Sequence, residues 1–410
     1  MKSLHTIFFL FVLGHSFANI IIVGKDKAIT TLRQGIATAR DGDTVFLNRG
    51  VYKEKNIIID KSLHLIGLNE PVLDGDYKNE ILTITGNNVI IRGIHFSNAG
   101  YSSMNDYAAV KIIDATNIII EKNTITNASF GIHIANSTHS YIRNNIIRGT
   151  NKSEHSSGNG IHLWKCTDMM IENNSIQGHR DGIYLEFVTA STIQKNLSEK
   201  NVRYGLHFMF SHNDRYLGNI FRNNGAGVAV MYSKNVMMDH NVFERNWGAS
   251  SYGILLKDIS DSHISNSKFI QNTIGIHMES SSRIEIADNI FKGNGWAIKV
   301  QASCDDNTFY RNNFYGNSFD VATNGMMMLN RFSKNYWDKY DGYDMNKDGT
   351  GDIPYHPVSM YSMIVEQNPN SLMLLRSFVV SLLDKAEKAI PSLVPENLMD
   401  DKPKMKPNKL

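Results

Sequence analysis

Cysteine and proline are both scarce in this chain of 410 residues, and each scarcity restricts its fold and chemistry. With only Cys166 and Cys304 present, no Cys-X-X-Cys metal or redox motif can form. None of the eight prolines lies between Pro71 and Pro354. Because a proline inside a sheet removes a ladder hydrogen bond, this long proline-free interval favours uninterrupted β-structure.

Charge of one sign and long apolar runs are also missing. The formal net charge is +2 and no basic stripe is present, so nucleic acid is not an expected partner. The apolar run from Ile7 to Leu13 is too short to cross a bilayer. With Lys2 before it and Ala18 after it, the run predicts a secretory signal peptide over residues 1–18. We therefore expect an exported protein.

A short phrase recurs from Gly131 to Val300: a glycine followed by an apolar, a polar and an apolar residue. The phrases begin at Gly131, Gly160, Gly182, Gly205, Gly227, Gly253, Gly275 and Ala297. The steps between them are 29, 22, 23, 22, 26, 22 and 22 residues. A period near 22 with strand-like alternation is typical of a solenoid in which each repeat is one coil.

A second phrase runs in step with the first: an apolar residue, an asparagine three positions later, and an apolar residue two positions beyond. Its polar positions are Asn123, Asn145, Asn174, Asn219, Asn241, Ser267, Asn289, Asn312 and Asn330. An amide that recurs at one corner of every coil can bond to its copies above and below. The two phrases together predict an all-β protein, a right-handed parallel β-helix with three short strands per coil.

This fold predicts that the two cysteines are free. Cys166 and Cys304 would lie six coils apart, and coils stack about 4.8 Å from one another. The separation of roughly 29 Å is far beyond the reach of a disulfide.

The ends of the chain depart from the repeat. We assign residues 19–335 to the β-helix with an N-terminal cap, in which Ile29 to Ala39 has helical spacing. Residues 336–367 are assigned to an Asp-rich capping loop, and residues 368–410 to a C-terminal helix and a flexible tail. The helix, from Asn368 to Ile390, either docks as a cap or binds a partner. Its candidate partner-binding residues are Leu375, Val379 and Leu382.

The Asp-rich loop resembles half of a calcium site. Asp344, Asn346, Asp348 and Asp352 have the spacing of the first part of an EF-hand loop, but Tyr355 replaces the closing glutamate. Both a structural Ca²⁺ and a plain acidic turn fit this pattern.

The second and fourth residues of each glycine phrase should face outward, and together they are rich in His, Met and aromatic side chains. Met209 and Met231 would lie side by side on adjacent coils, with His207 on the same face. Imidazole and thioether groups suit Cu(I), so these three residues are a candidate copper site. The candidates that would extend the site or contact a partner are His212, His162, Trp164 and Tyr184. Packing without metal is the alternative.

A carbohydrate-binding or polysaccharide-cleaving β-helix is the alternative function, and a passive surface adhesin is a third. Cleavage needs two carboxylates about 5–10 Å apart in a groove. The candidates are Asp305 with Asp306, which more simply cap a turn, and Arg180–Asp181 with His179 nearby. We predict a non-catalytic protein, since the outer face carries few paired carboxylates.

Several runs resemble the NosD family, the periplasmic accessory proteins of nitrous oxide reductase maturation. These runs are Tyr204-Gly-Leu-His-Phe-Met-Phe-Ser-His-Asn-Asp214, Asn224-Gly-Ala-Gly-Val-Ala-Val-Met-Tyr-Ser-Lys234, Tyr252-Gly-Ile-Leu-Leu-Lys-Asp258, Asn294-Gly-Trp-Ala-Ile-Lys-Val-Gln-Ala-Ser-Cys304 and Asn335-Tyr-Trp-Asp-Lys-Tyr. The resemblance implies a periplasmic component of an ABC-type complex, with a membrane permease, an ATPase and a copper-chaperone lipoprotein as partners. The implied function is assembly of the copper centres of nitrous oxide reductase, with transient copper as cargo. No metal ligand is carried over from the family.

Overall fold

The chain folds as a right-handed parallel β-helix of about 13 coils with roughly 23 residues per coil. The computed structural model describes residues 18–102, 104–150, 157–325, 329–389 and 398–410. Apart from Ala18, the predicted signal peptide lies outside the described residues. Within them, every strand pairing between neighbouring coils is parallel, as in Tyr204–Met209 beside Ala226–Met231. The predicted fold is confirmed.

Three long parallel sheets form the walls of the helix, and the described residues contribute 14, 12 and 13 strands to them. Sheet 1 contains Ile20–Val23, Asp43–Leu47, Leu63–Gly67, Ile90–Arg92, Ile119–Glu121, Thr138–Arg143, Thr167–Glu172, Thr192–Gln194, Arg215–Leu217, Met237–Asp239, Ser260–Ser265, Ser282–Ala287, Asp305–Tyr310 and Leu329–Ser333. Sheet 2 contains Ile57–Ile59, Leu82–Ile84, Ala108–Ile113, Phe130–Ala135, Ile161–Trp164, Asp181–Glu186, Tyr204–Met209, Ala226–Met231, Ile254–Lys257, Ile274–Glu279, Trp296–Val300 and Phe319–Ala322. Sheet 3 contains Val51–Tyr52, Val72–Asp74, His95–Ser97, Thr124–Thr126, Ile146–Arg148, Ser175–Gln177, Leu197–Glu199, Ile220–Arg222, Val242–Glu244, Lys268–Ile270, Ile290–Lys292, Asn313–Tyr315 and Tyr336–Trp337. The glycine phrases supply most of sheet 2.

Apolar columns fill the interior, because alternate residues of every strand point inward. On sheet 3, Phe243, Phe269, Phe291 and Phe314 stack with ring centroids 4.7, 4.8 and 4.8 Å apart and interplanar angles of 6°. Each ring therefore contacts its copy one coil away, and the core is a set of continuous columns.

The glycine that opens each phrase is required by close approach of the next coil. A Cβ atom on Gly182 would lie 2.0 Å from the Ser198 hydroxyl and 2.7 Å from the Gly205 carbonyl oxygen. Real Cβ contacts are never this short, so a side chain here forces the sheet apart. This contact explains why the phrase repeats with the coil.

Two asparagine ladders hold the corners. The first ladder contains Asn123, Asn145, Asn174, Asn196, Asn219, Asn241, Ser267, Asn289, Asn312 and Asn335. The second, which the sequence analysis missed, contains Asn201, Asn224, Asn246, Asn272, Asn294 and Asn317. In each step a side-chain oxygen accepts from the backbone N–H, and in most steps also from the amide, of the previous member. Buried corner amides are thus satisfied along the ladder.

The prediction was wrong for Asn330. Phe332 pairs with Phe309, so the asparagine three positions after Phe332, which is Asn335, continues the first ladder. Asn330 instead accepts from Asn307 at a different corner, with an Nδ2–Oδ1 distance of 2.8 Å.

The N-terminal cap is a short helix, α1 (Leu32–Thr38), which begins after Thr31. The Thr31 hydroxyl accepts from the backbone N–H of Gln34. Leu32 and Ile36 are buried against the first coils. The helical spacing predicted over Ile29 to Ala39 is therefore confirmed, with a later start.

The C-terminal region differs from the prediction of one helix over Asn368 to Ile390. It contains α2 (Met360–Gln367), a 3-10 helix (Pro369–Leu374) and α3 (Phe378–Ala389). The break falls at Arg376, whose φ of +67° is outside the helical region. Pro391, the predicted helix stop, lies outside the described residues.

The prediction of a flexible tail was also wrong for residues 398–410. Both the backbone and the amide N–H of Asn335 donate to Asp400 Oδ2 at 2.9 Å, and Trp337 Nε1 donates to it at 3.0 Å. Asp400 thus takes the place of the next asparagine in the first ladder. Lys404 and Asn408 add bonds to the last coil. The lysines and prolines of this segment suggested disorder, but Asp400 completes a ladder that would otherwise end unpaired.

Both cysteines are free, as predicted, and the structure shows that both are buried. Among the described residues, no helix is both long and apolar enough to cross a membrane.

Candidate functional site

Outward side chains of sheet 2 form straight columns, because each glycine phrase pairs in register with the next. His133, His162, Tyr184 and His207 occupy one column on four consecutive coils. In the adjacent column, Met209 pairs directly with Met231. The predicted adjacency of the two thioethers is therefore confirmed.

The rings of the first column contact one another continuously. Centroids are 4.7 Å apart for His133 and His162, 4.8 Å for His162 and Tyr184, and 5.0 Å for Tyr184 and His207. Although these side chains point away from the core, they are largely shielded from water. Burial lowers the pKa of His133 and lowers that of His162 to about 3, so both imidazoles are neutral at pH 7.

His207 lies beside a buried ion network. Arg203 binds Asp181 with two hydrogen bonds, Nε to Oδ1 at 3.1 Å and Nη2 to Oδ2 at 2.9 Å. The Asp181 side chain is fully buried. Burial acts to raise the pKa of Asp181, but the nearby His207 imidazole and the charge and hydrogen bonds of Arg203 hold it below its usual value. Asp181 is thus an ionised carboxylate on the outer face.

The two ring nitrogens of His207 have different surroundings. Nδ1 lies 3.1 Å from Arg203 Nη2 and 3.7 Å from Asp181 Oδ2. Nε2 is buried and has no hydrogen-bond partner. A buried polar atom without a partner costs about 1–3 kcal/mol, which makes Nε2 a candidate ligand atom.

The thioether pair is half-buried. The Tyr184 hydroxyl lies 3.9 Å from Met209 Sδ and 3.4 Å from Glu186 Oε2. Burial, and next the charge of Glu186, raise the pKa of Tyr184 to about 12, so the phenol keeps its proton. Met231 packs against an apolar cluster that includes Tyr252. The site combines an imidazole nitrogen with two thioether sulfurs.

Two predicted members lie apart from this group. His162 is two coils from His207, with the Tyr184 ring between them, and it contacts His133 instead. His212 lies past the turn that follows sheet 2, where its Nδ1 accepts from the backbone N–H of Lys234 at 3.3 Å. Neither extends the His207 group.

Trp164 lies in the same column as the thioethers. It pairs with Glu186, which in turn pairs with Met209, and the Lys165 ammonium lies 4.3 Å from the centroid of the Trp164 ring.

An exposed aromatic ridge was missed by the sequence analysis. Phe187, Phe210 and Tyr232 stack with centroids 5.3 and 4.9 Å apart and near-parallel rings. They follow the fourth residues of three phrases, so Phe210 comes directly after Met209. All three have φ between 50° and 54°, the left-handed conformation that bulky residues rarely adopt. The signal that could have revealed them is an aromatic residue directly after the fourth phrase residue on three consecutive coils.

The Asp-rich loop closes on itself. Asp344 accepts from the backbone N–H groups of Asp348 and Gly349, and Asp348 accepts from that of Thr350. Asn346 and Asp352 likewise accept backbone N–H groups of the loop. These bonds fit a plain turn, and the calcium site stays a prediction. In the described part of the chain, no three His, Cys, Asp or Glu side chains are grouped to hold a metal ion.

The C-terminal helices present two faces. Leu375 and Val380 pack with Phe319 and Tyr361 against the end of sheet 2, and Lys299 pairs with Glu366 at 2.7 Å. On the other face, a C-terminal apolar patch is exposed. Its members are Phe378 at 81%, Val379 at 50% and Leu382 at 56% exposure. Leu375 therefore packs against the β-helix, whereas the side chains of Val379 and Leu382 are exposed to solvent.

Together these observations define a class: a parallel β-helix repeat protein whose outer face carries columns of His, Met and aromatic side chains. Comparison with known structures agrees on the fold. A surface adhesin of Streptococcus pneumoniae, PfbA, is 14% identical, with a TM-score of 0.53 over 77% of this chain and 90% of that chain. The catalytic unit of an α-1,3-glucanase from Streptomyces thermodiastaticus is 10% identical, with a TM-score of 0.55 over 75% of this chain and 62% of that chain.

Sequence comparison is more specific. The family model described as periplasmic copper-binding protein NosD matches residues 143–342. A protein of Pseudomonas aeruginosa named "Probable ABC transporter binding protein NosD" is 28% identical over 94% of both chains. One of the same name from Stutzerimonas stutzeri is 27% identical over 82% of this chain and 80% of its own. The family model and both relatives support the resemblance to the NosD family that the sequence predicts.

Proposed function

We propose that this protein is the periplasmic component of an ABC-type complex that serves copper-centre assembly in nitrous oxide reductase. In this role it holds Cu(I) transiently with His207, Met209 and Met231. The observation that carries the proposal is the unpartnered, buried Nε2 of His207 on the same face as two directly paired thioethers. The family description and the names of the two relatives support copper as the cargo and an ABC-type complex as the setting.

The donor set fits Cu(I) by geometry and by softness. Paired residues on parallel strands lie about 4.8 Å apart, and His207 is two residues from Met209, or about 6.6 Å along the strand. Methionine has three rotatable side-chain bonds, so both sulfurs can turn toward one ion without movement of the sheet. Thioether and imidazole ligands favour Cu(I) over hard cations.

Asp181 orients the imidazole. A ligand nitrogen must present a lone pair, so when Nε2 binds metal the ring proton resides on Nδ1. In the structure Nδ1 accepts from Arg203 Nη2 at 3.1 Å, so this tautomer requires the Arg203 N–H to turn away and lets Nδ1–H point to Asp181 Oδ2, now 3.7 Å distant. Carboxylates that accept from a metal-bound histidine fix its tautomer and ring orientation. Arg203 keeps Asp181 ionised in both states.

The test is an anaerobic Cu(I) titration against a chromogenic Cu(I) chelator. Met209→Leu/Met231→Leu keeps side-chain volume and removes both sulfurs, and it should weaken Cu(I) binding by at least 10²-fold. His207→Gln should do the same. Met237→Leu, at an exposed thioether on sheet 1, is the matched control and should change nothing. Unchanged affinity in both site variants refutes the site.

The partner that delivers or receives copper is proposed to dock on the aromatic ridge of Phe187, Phe210 and Tyr232, with Trp164 beside it. The ridge is adjacent to the thioethers, and its three rings are exposed and stacked, as is typical of a docking surface. Replacing the three rings by serine should abolish co-purification with the copper-chaperone lipoprotein while Cu(I) affinity is retained. Intact co-purification contradicts this assignment.

Attachment to the membrane permease and its ATPase is proposed to use the C-terminal apolar patch, Phe378, Val379 and Leu382. Apolar side chains that are clustered and exposed in this way are typical of interaction sites. Phe378→Ser/Leu382→Ser should release the protein from the co-expressed permease and ATPase. Trp247→Ser, another exposed ring far along the sequence, should leave the complex intact. If the patch variant still co-purifies with the permease and the ATPase, or if only the Trp247→Ser control loses the complex, the assignment is wrong.

Polysaccharide cleavage is less well supported. Asp181, a fully buried carboxylate on the outer face, has both oxygens engaged by Arg203, which leaves no carboxylic acid there to protonate a leaving group. A reducing-sugar assay on uronate polymers should show no product.

A further inference from the structure

The outer face of sheet 2 contains a second pair of ligands that the His207 group does not use. His133 and His162 are directly paired on adjacent strands, and their ring centroids are 4.7 Å apart with an interplanar angle of 57°. Phe130 contacts both rings, at 5.8 and 5.6 Å. The two imidazoles therefore share an apolar neighbour, the Phe130 ring.

One nitrogen of this pair has no partner. His133 Nδ1 is buried without a hydrogen bond, and the side chain is only 12% exposed. The other nitrogen, Nε2, lies 3.8 Å from Asp106 Oδ2. With the ring proton on Nε2, directed to Asp106, the buried Nδ1 keeps an unused lone pair. An unused lone pair in a shielded position is what a metal would satisfy.

The amide beside His162 is consistent with this role. Asn159 Nδ2 lies 3.3 Å from His162 Nδ1, while Asn159 Oδ1 is buried without a partner. Oxygen and nitrogen of an amide are assigned from the hydrogen-bond network. Turning the amide over lets Oδ1 accept from His162 Nδ1–H, which satisfies the orphaned oxygen and leaves the Nε2 lone pair of His162 free.

The spacing restricts which ion can bind. Bonds of about 2 Å from two imidazole nitrogens to a d¹⁰ ion place the nitrogens about 4 Å apart, which suits neighbouring strands about 4.8 Å apart. Among the described residues no third His, Cys, Asp or Glu completes a group here. Zn²⁺ prefers four ligands, whereas Cu(I) is stable with two in a line.

We propose that His133 and His162 form a second, two-coordinate Cu(I) site, with Asp106 and Asn159 fixing the ring tautomers. The proposal rests on the proposed function for the identity of the cargo, but its ligands are separate from those of the first site. Tyr184 stands between His162 and His207, so one ion cannot bridge the two groups.

The experiment uses the full-length exported protein under anaerobic conditions. Wild type should bind two equivalents of Cu(I) in competition with the chelator. The His207→Gln/Met209→Leu/Met231→Leu variant should keep one equivalent, and X-ray absorption on it should give two Cu–N bonds and no Cu–S bond. His133→Gln/His162→Gln should lose that equivalent and keep a sulfur-containing site. His240→Gln/His263→Gln, exposed histidines on or beside sheet 1, is the matched control.

The outcomes separate the two proposals. Two bound equivalents of Cu(I) in His133→Gln/His162→Gln overturn the second site, and so do Cu–S bonds in place of Cu–N bonds in the His207→Gln/Met209→Leu/Met231→Leu variant. If the His207→Gln/Met209→Leu/Met231→Leu variant still binds two equivalents of Cu(I), the first site is refuted and the second site is not. If His133→Gln/His162→Gln fails to fold, the absorption spectrum of the other variant, whose imidazole pair is untouched, decides the matter: an absence of bound Cu(I) there refutes the inference.

Discussion

Asp214 is a buried carboxyl group that should make the protein less stable as the pH rises. Its side chain is fully buried, Oδ1 accepts from the backbone N–H of Ser191 at 2.8 Å, and Oδ2 has no partner. Burial raises its pKa from 3.8 to about 8. Ser191 and Asn307 hold related corner positions with neutral side chains. We therefore predict that Asp214→Asn stabilises the protein in a pH-dependent manner.

The sign follows from proton binding. Between pH 4 and pH 8 the unfolded chain releases the Asp214 proton and the folded chain keeps it, so unfolding is favoured as pH rises. Each pH unit contributes about 1.4 kcal/mol, which gives an upper limit of about 4 kcal/mol at pH 7. Below pH 4 both states are protonated and the difference disappears. Above pH 8 both are ionised and the difference stays constant.

The assay compares the free energy of urea unfolding of wild type and Asp214→Asn at several values between pH 4 and pH 9. The two should be similar near pH 4, and the variant should become more stable with increasing pH until about pH 8. Asp261→Asn is the control, since Asp261 is an exposed partner of Arg283. A stability difference that does not change with pH would refute an uncharged, buried Asp214.

Three further predictions concern the fold. Asp400→Ala should lower the free energy of unfolding by about 1–3 kcal/mol because the ladder amide then lacks its acceptor, whereas Asp400→Asn should be nearly neutral; chemical denaturation measures both. Gly182→Ala should reduce the thermal midpoint or the yield of folded protein, since its Cβ would lie 2.0 Å from the Ser198 hydroxyl; equal midpoints in a thermal scan would count against the close approach. Cys166 and Cys304 should react with a thiol reagent only after unfolding, giving no thiols in the native protein and two in denaturant; rapid native labelling would contradict their burial.

The regular part of the fold was predictable because one coil dictates the next. Contacts between neighbouring coils repeat along the chain, so the periodicity of the sequence alone revealed the fold. The features that carry this periodicity are the glycine phrase, the spacing of Asn312 after Phe309 and the proline-free interval. Asn330 was misassigned because the phrase was matched by residue type, while the register is set by the pairing of Phe309 with Phe332.

The candidate site was only partly predictable. Register placed Met209 beside Met231, since both follow glycine by the same number of residues. It did not reveal that His207 contacts Asp181 and Arg203, because Asp181 precedes its glycine and that position varies from coil to coil. The role of Asp400 was hidden for a related reason: it joins the ladder from far along the chain and not from the next coil.

The same rigidity that aligns these side chains limits what they can do alone. Parallel strands hold neighbouring coils about 4.8 Å apart, so His162 and His207, which lie two coils apart, stay about 10 Å from each other whatever is bound. Backbone bonds on both sides of every inner strand oppose any closing of that gap. If both proposed sites hold Cu(I), exchange of the ion between them therefore needs solvent or a partner that reaches both. The exposed ridge of Phe187, Phe210 and Tyr232 borders the thioether site, so a partner seated there is in position to take up that ion directly.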